Sequence, residues 1–123
     1  MGRNKDAAVG FLKMVVAGKI DEAYAKYVDM KGKHHNVFTP AGFEALKKGM
    51  IENEGMFPNK KFDIQRVVEE GDMVATHSHI VLKPGELELG VVHWFRFKDG
   101  KIAELWDVGQ QVPKETVNQD GMF

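Results

Sequence analysis

Five histidines (His34, His35, His77, His79 and His93) and the carboxylate Asp107 are the side chains here whose types and spacing could carry out proton transfer. His77 and His79 lie two apart in MVATHSHIV, and His93 lies two from both Val91 and Phe95 in VVHWFRF. Residues two apart share one face of a β-strand, so each run reads as an apolar wall with imidazoles set into it. A carboxyl group among such walls gains basicity from desolvation, and an adjacent imidazole can orient it or share its proton. The bland reading of His93 is a hydrogen-bonded wall residue, and of Asp107 a solvated carboxylate at the sheet's rim. The absence of cysteine excludes thiolate nucleophiles, disulfides and cysteine metal sites. A zinc site built from His77 and His79 with His93 or His35 has no supporting ligand motif, so no metal is expected.

The elements that must position these groups fall into two halves. Ala8, Phe11, Leu12, Val15 and Val16 recur at helical spacing between Asn4 and Ala17, and Gly18 is placed to end that helix. Ile20, Ala23, Tyr24, Tyr27 and Val28 define a second, shorter helix, opened by Asp21 and Glu22. Thr39 and Pro40 read as the N-cap and first residue of a third helix, which carries Phe43, Leu46 and Met50 and stops at Gly55 and Pro58. The segment 29–38, ending in HHNVF, is either a short strand or a loop that could fold over a pocket mouth.

After Pro58 the period becomes alternating. Phe62–Val68, Met73–Leu82, Leu87–Lys98 and Lys101–Gln110 read as four strands joined by EEGD, KPGE and DG, an antiparallel meander. Helices first and strands after give one α+β domain over 1–123, with residues from Pro113 onward a surface tail. The last hairpin's turn decides which faces meet. A three-residue loop with Gly100 in a left-handed bulge is expected; it pairs Phe97 with Lys101 and makes His93 and Asp107 diagonal neighbours, whereas a two-residue loop would separate them. An even register in the preceding hairpin sets His77 opposite His93 and His79 opposite Val91.

Composition narrows the partners. Seventeen basic against eighteen acidic residues provide no field for nucleic acid or anionic lipid. No run is long and apolar enough for a signal core or membrane span, so a cytoplasmic protein is expected. Trp94, Arg96 and Trp106 alternate onto the other sheet face, where a flat aromatic surface suits a homodimer.

The strings VVEEGDMVATHSHI and VVHWFRFKDGKIAELWDVGQ, with the order of elements, resemble the SnoaL-like polyketide cyclase branch of the nuclear transport factor 2-like superfamily. HHNVF also resembles a segment of the subgroup described as aldol-condensation proteins, with Val37 where proline is usual. The resemblance implies a cone-shaped curved antiparallel sheet closed by three N-terminal helices. It also implies a cofactor-free aldol cyclase or isomerase acting on a carbonyl compound, with Asp107 and His93 as catalytic residues. His35, His77, His79, Val91, Phe95 and Tyr27 are the expected substrate-binding residues. The competing readings are a non-catalytic binding protein for an apolar metabolite, and a dimeric scaffold whose cone is filled by Phe11, Tyr24, Tyr27, Phe43 and Phe57.

Overall fold

The computed structural model describes residues 2–123. Helix α1 spans Arg3–Val16 and buries Ala8, Phe11, Leu12 and Val15, the stripe that its spacing dictates. Gly18, at φ 81°, ends it, and the Lys19 N–H closes back on the Met14 carbonyl at 2.9 Å in a six-to-one bond. Helix α2, Ile20–Tyr27, follows at once and buries Ile20, Ala23 and Tyr24.

The chain then forms a strand, β1, Val28–His34, where sequence left strand and loop open. Helix α3 spans Phe43–Met56 rather than starting at Pro40. Thr39 does not cap it, because its hydroxyl donates instead to Asn36 Oδ1 at 2.9 Å and ties down the preceding loop. Four long strands complete the chain: β2 Lys61–Glu70, β3 Met73–Lys83, β4 Leu87–Lys98 and β5 Lys101–Gln111. The sheet order is β1-β5-β4-β3-β2, so the meander is antiparallel as expected and β1 adds a parallel edge beside β5. The fold is α+β, with the helices on the inner face of the sheet.

Phe11, Tyr24, Phe43 and Phe95 pack together between the helices and the sheet in edge-to-face contacts, with Phe11 and Tyr24 centroids 5.3 Å apart. Burial pushes the Tyr24 phenol well above its ordinary value, and its hydroxyl reaches Met50 Sδ at 3.1 Å. The tail beyond Pro113 has no regular structure and is mostly exposed, but its end is not free in solvent. Phe123 stacks on His79 with centroids 4.3 Å apart, its main-chain oxygen accepts from Arg66 Nη2 at 3.1 Å, and Met122 lies over Gly90.

The β4–β5 hairpin departs from the expected three-residue loop. Asp99 and Gly100 take φ values of 52° and 79°, forming a two-residue turn closed by Lys98 and Lys101. Phe97 pairs with Ile102 but Arg96 with Glu104, so Ala103 is an extra residue that bulges β5. Edge strand β1 breaks its own register opposite this bulge, between Val28 and Lys33. Gly32 sits there, and a Cβ on it would lie 2.2 Å from the Ala103 carbonyl oxygen and 2.9 Å from the Phe43 ring. Gly32→Ala is therefore expected to destabilise the fold by about 1–3 kcal/mol, read as a lower urea midpoint. An unchanged midpoint would mean that the bulge yields freely.

Candidate functional site

The bulge at Ala103 sets the geometry of the site. By shifting β5 one residue it brings Asp107 directly opposite His93, closer than the diagonal relation expected from sequence. Both side chains line a cavity of about 450 Å³ between the sheet, α1, α3 and the loop after β1. Its walls are largely apolar, with Leu12, Leu46, Phe62 and Val91 among them. The volume lies within the range typical of small-molecule sites. Phe11, Tyr24 and Phe43 therefore do not fill the whole hollow.

Asn36, in the loop after β1, was not singled out by sequence. Its Nδ2 donates to both oxygens of Asp107, at 3.1 and 3.0 Å, while its Oδ1 accepts from the Phe38 N–H and the Thr39 hydroxyl. The carboxamide thus has a fixed orientation, and so has the carboxylate it holds. Behind it, buried His34 accepts from the Asn36 N–H at Nδ1 (3.1 Å), and its Nε2 donates to the Pro40 carbonyl at 2.8 Å. These two bonds define a neutral imidazole that braces the loop. The visible signal was the pairing of His34 with Asn36 in HHNVF, both types that bond local backbone.

His93 lies between the rings of Phe62 and Phe95, with centroids 6.2 and 6.0 Å away. Burial pulls its pKa from 6.5 down to about 4, against a smaller opposing pull from the Asp107 charge. The imidazole is consequently neutral at pH 7 and available as a hydrogen-bond donor rather than as a fixed cation.

Several expected pocket residues lie elsewhere. The β3–β4 hairpin starts in the expected even register, Lys83 opposite Leu87, but a bulge at Leu82 shifts it so that Val81 meets Glu88. His77 then pairs with Val92 and His79 with Gly90, which turns both histidines to the outer face. There His79 Nε2 bonds Glu88 Oε1 at 2.8 Å, and His77 meets the Arg66 guanidinium. His35 is also outside: it stacks on Trp106 at 4.9 Å and bonds Glu104 Oε2 at 2.6 Å, which together with Arg96 holds the Glu104 carboxyl below its ordinary range. Tyr27 packs at the α1–α2 seam with its hydroxyl against Gly10. Phe95 is wholly buried behind His93, whereas Val91 does line the cavity.

The histidines proposed for zinc therefore do not converge, and among the described residues no group of three or more His, Cys, Asp or Glu side chains is placed to hold a metal ion. Trp94 and Trp106 pair on the outer face, with Trp94 exposed. Among the described residues no helix is long and apolar enough to cross a membrane.

A five-stranded, mostly antiparallel sheet with three helices packed on one face, around an apolar hollow that holds one carboxylate and one imidazole, is a fold of the nuclear transport factor 2-like kind. Residues 8–105 match the SnoaL-like domain, and the chain belongs to that family; Asp107 lies just beyond the matched span. Among solved structures, IdmH, a candidate polyketide cyclase from Streptomyces antibioticus, is 20% identical with a TM-score of 0.71, over 86% of this chain and 91% of that one. A candidate polyketide cyclase from Acidithiobacillus ferrooxidans is 20% identical with a TM-score of 0.72, over 87% of each chain. AclR, a candidate hydroxylase from Streptomyces galilaeus, is 21% identical with a TM-score of 0.71, over 89% of this chain and 90% of that one. No curated protein gives a significant sequence match.

Proposed function

We propose that the protein is an acid–base enzyme for a small carbonyl compound, of the aldol cyclase or isomerase type. The observation that carries this reading is the Asn36 carboxamide clamping both oxygens of Asp107 beside neutral, buried His93 in an apolar cavity. Asp107 removes a proton from the carbon next to the carbonyl. The C–H electron pair moves into the enolate double bond, and His93 donates a hydrogen bond to the oxygen where charge develops. Attack of the enolate carbon on a second carbonyl of the same molecule closes a ring, and the proton held by Asp107 returns to the new alkoxide. In the isomerase variant the proton returns to a different carbon. The names of two structural neighbours, candidate polyketide cyclases, support a polyketide-like substrate, and the ring closure requires that it carry two carbonyl groups.

The test begins with a thermal-shift screen of small ketones, diketones and keto acids, since a ligand at 100 times its Kd adds about 2.7 kcal/mol of stability. Hits are then incubated in D2O and followed by NMR. Protein-dependent deuterium uptake next to the carbonyl is the expected result. Tight binding without any exchange or conversion would replace the enzyme reading with that of a binding protein.

A further inference from the structure

Behind His93 the inner face of the sheet holds three polar atoms sealed from solvent and without a partner among the described residues: Thr76 Oγ1, Ser78 Oγ and His93 Nδ1. Thr76 is 1% exposed, Ser78 0% and His93 8%. Leaving one such group unsatisfied costs about 1–3 kcal/mol, so three together on adjacent strands call for a common explanation. They are arranged to share one. Thr76 lies directly opposite His93, and Ser78 lies two residues along the same strand face, opposite Val91. Directly opposed Cβ atoms are about 4.5–5.5 Å apart and diagonal ones about 7–8 Å. One oxygen making bonds of about 2.8 Å spans roughly 5–6 Å between the atoms it bridges, which is what side chains reaching toward a common centre require. Both hydroxyls and the ring nitrogen are neutral and β3 carries no carboxylate, so the three atoms suit a neutral guest.

We propose that Thr76, Ser78 and His93 Nδ1 hold one internal water, which keeps His93 as its Nε2–H tautomer. The water accepts from one hydroxyl, donates to the other hydroxyl's oxygen and donates to Nδ1. That makes three hydrogen bonds, the usual number for a buried water. The proton on the imidazole is thereby confined to Nε2, so the ring can act only as a donor from that atom. Thr76 and Ser78 are positioning residues: they act on the chemistry through His93 and touch no substrate. The functional consequence rests on the acid–base reading above, but the tautomer does not, so each can fail separately.

The test is ¹⁵N NMR of the imidazoles at pH 7.5 in the intact protein and in Thr76→Val, Ser78→Ala and Thr76→Ser, with folding checked by the dispersion of the amide spectrum. The intact protein is expected to show His93 protonated on Nε2 alone. Thr76→Val and Ser78→Ala are expected to show a mixture of tautomers, and Thr76→Ser the original pattern. The Tm of Thr76→Val should fall by about 3–6 °C, because a bridged hydroxyl is lost. Unmoved His93 signals in Ser78→Ala would indicate a direct Thr76–His93 bond and overturn the water. A higher Tm in Thr76→Val would also overturn it, since replacing an orphaned hydroxyl by a methyl group is favourable. A normal tautomer result with no turnover in any carbonyl assay would leave the water in place and sink only the enzyme reading.

Discussion

Asp107→Asn is expected to lower turnover of the carbonyl substrate by about 10²- to 10⁴-fold, the range for loss of a positioned general base. The neutral amide keeps the shape of the carboxylate and can still offer an oxygen to Asn36 Nδ2, so binding and fold should survive. The loss should therefore appear in kcat with KM little changed, which marks an interaction made in the transition state rather than in substrate binding. Asn36→Ala separates charge from orientation. It leaves the carboxylate in place but removes its two hydrogen bonds, and its loss should be smaller than that of Asp107→Asn. Equal turnover in Asp107→Asn and the intact protein would remove Asp107 from the mechanism, whatever the geometry around it.

Acid is expected to weaken the fold through His93. The unfolded imidazole takes up a proton near its ordinary value of 6.5, whereas burial delays uptake in the folded protein until about pH 4. Between these values the unfolded state holds more protons, so stability is fully present above about pH 6.5 and is lost as the pH falls toward 4. The slope is at most about 1.4 kcal/mol per pH unit, and the accumulated loss is on the order of 3 kcal/mol. Urea unfolding of the intact protein and of His93→Gln between pH 7 and pH 4 isolates this contribution from that of the carboxylates, because only the intact protein carries it. The two stability curves should converge as the pH falls. Curves that stay parallel would show that His93 titrates alike in both states.

Helices and long strands were legible because each is set by local periodicity. The expected helix between Asn4 and Ala17 is α1 at Arg3–Val16, and the expected strand Leu87–Lys98 is β4 unchanged. Strand β1 was not, because VDMKGKH lacks alternation and its partner β5 lies some seventy residues away, a pairing no local pattern records. The third helix was opened too early because Thr39 is equally suited to capping and to bonding the Asn36 side chain, and the loop wins. The site was legible in part. His93 and Asp107 do share the inner face, but through a two-residue turn plus a bulge rather than through a longer turn. The same kind of one-residue bulge, at Leu82, sent His77 and His79 outward and Thr76 and Ser78 inward. The alternation in MVATHSHIV does not distinguish its two faces, since each carries both aliphatic and polar residues.

The extra residue in β5 also constrains how the chain can change length. Pairing Ala103 into the ladder, opposite Arg96, would rotate everything downstream by half a turn about the strand axis, presenting the Trp106 indole to the hollow and the Asp107 carboxylate to the outside. Deleting Ala103 would instead leave the sides as they are, because Glu104 would follow Ile102 opposite Arg96 in an unbroken ladder. Descendants of this sequence can therefore lose that residue and keep an acid inside, whereas one more residue paired into the ladder there would turn the acid out, and substitutions that preserve the count leave the inside and outside of the wall as they are.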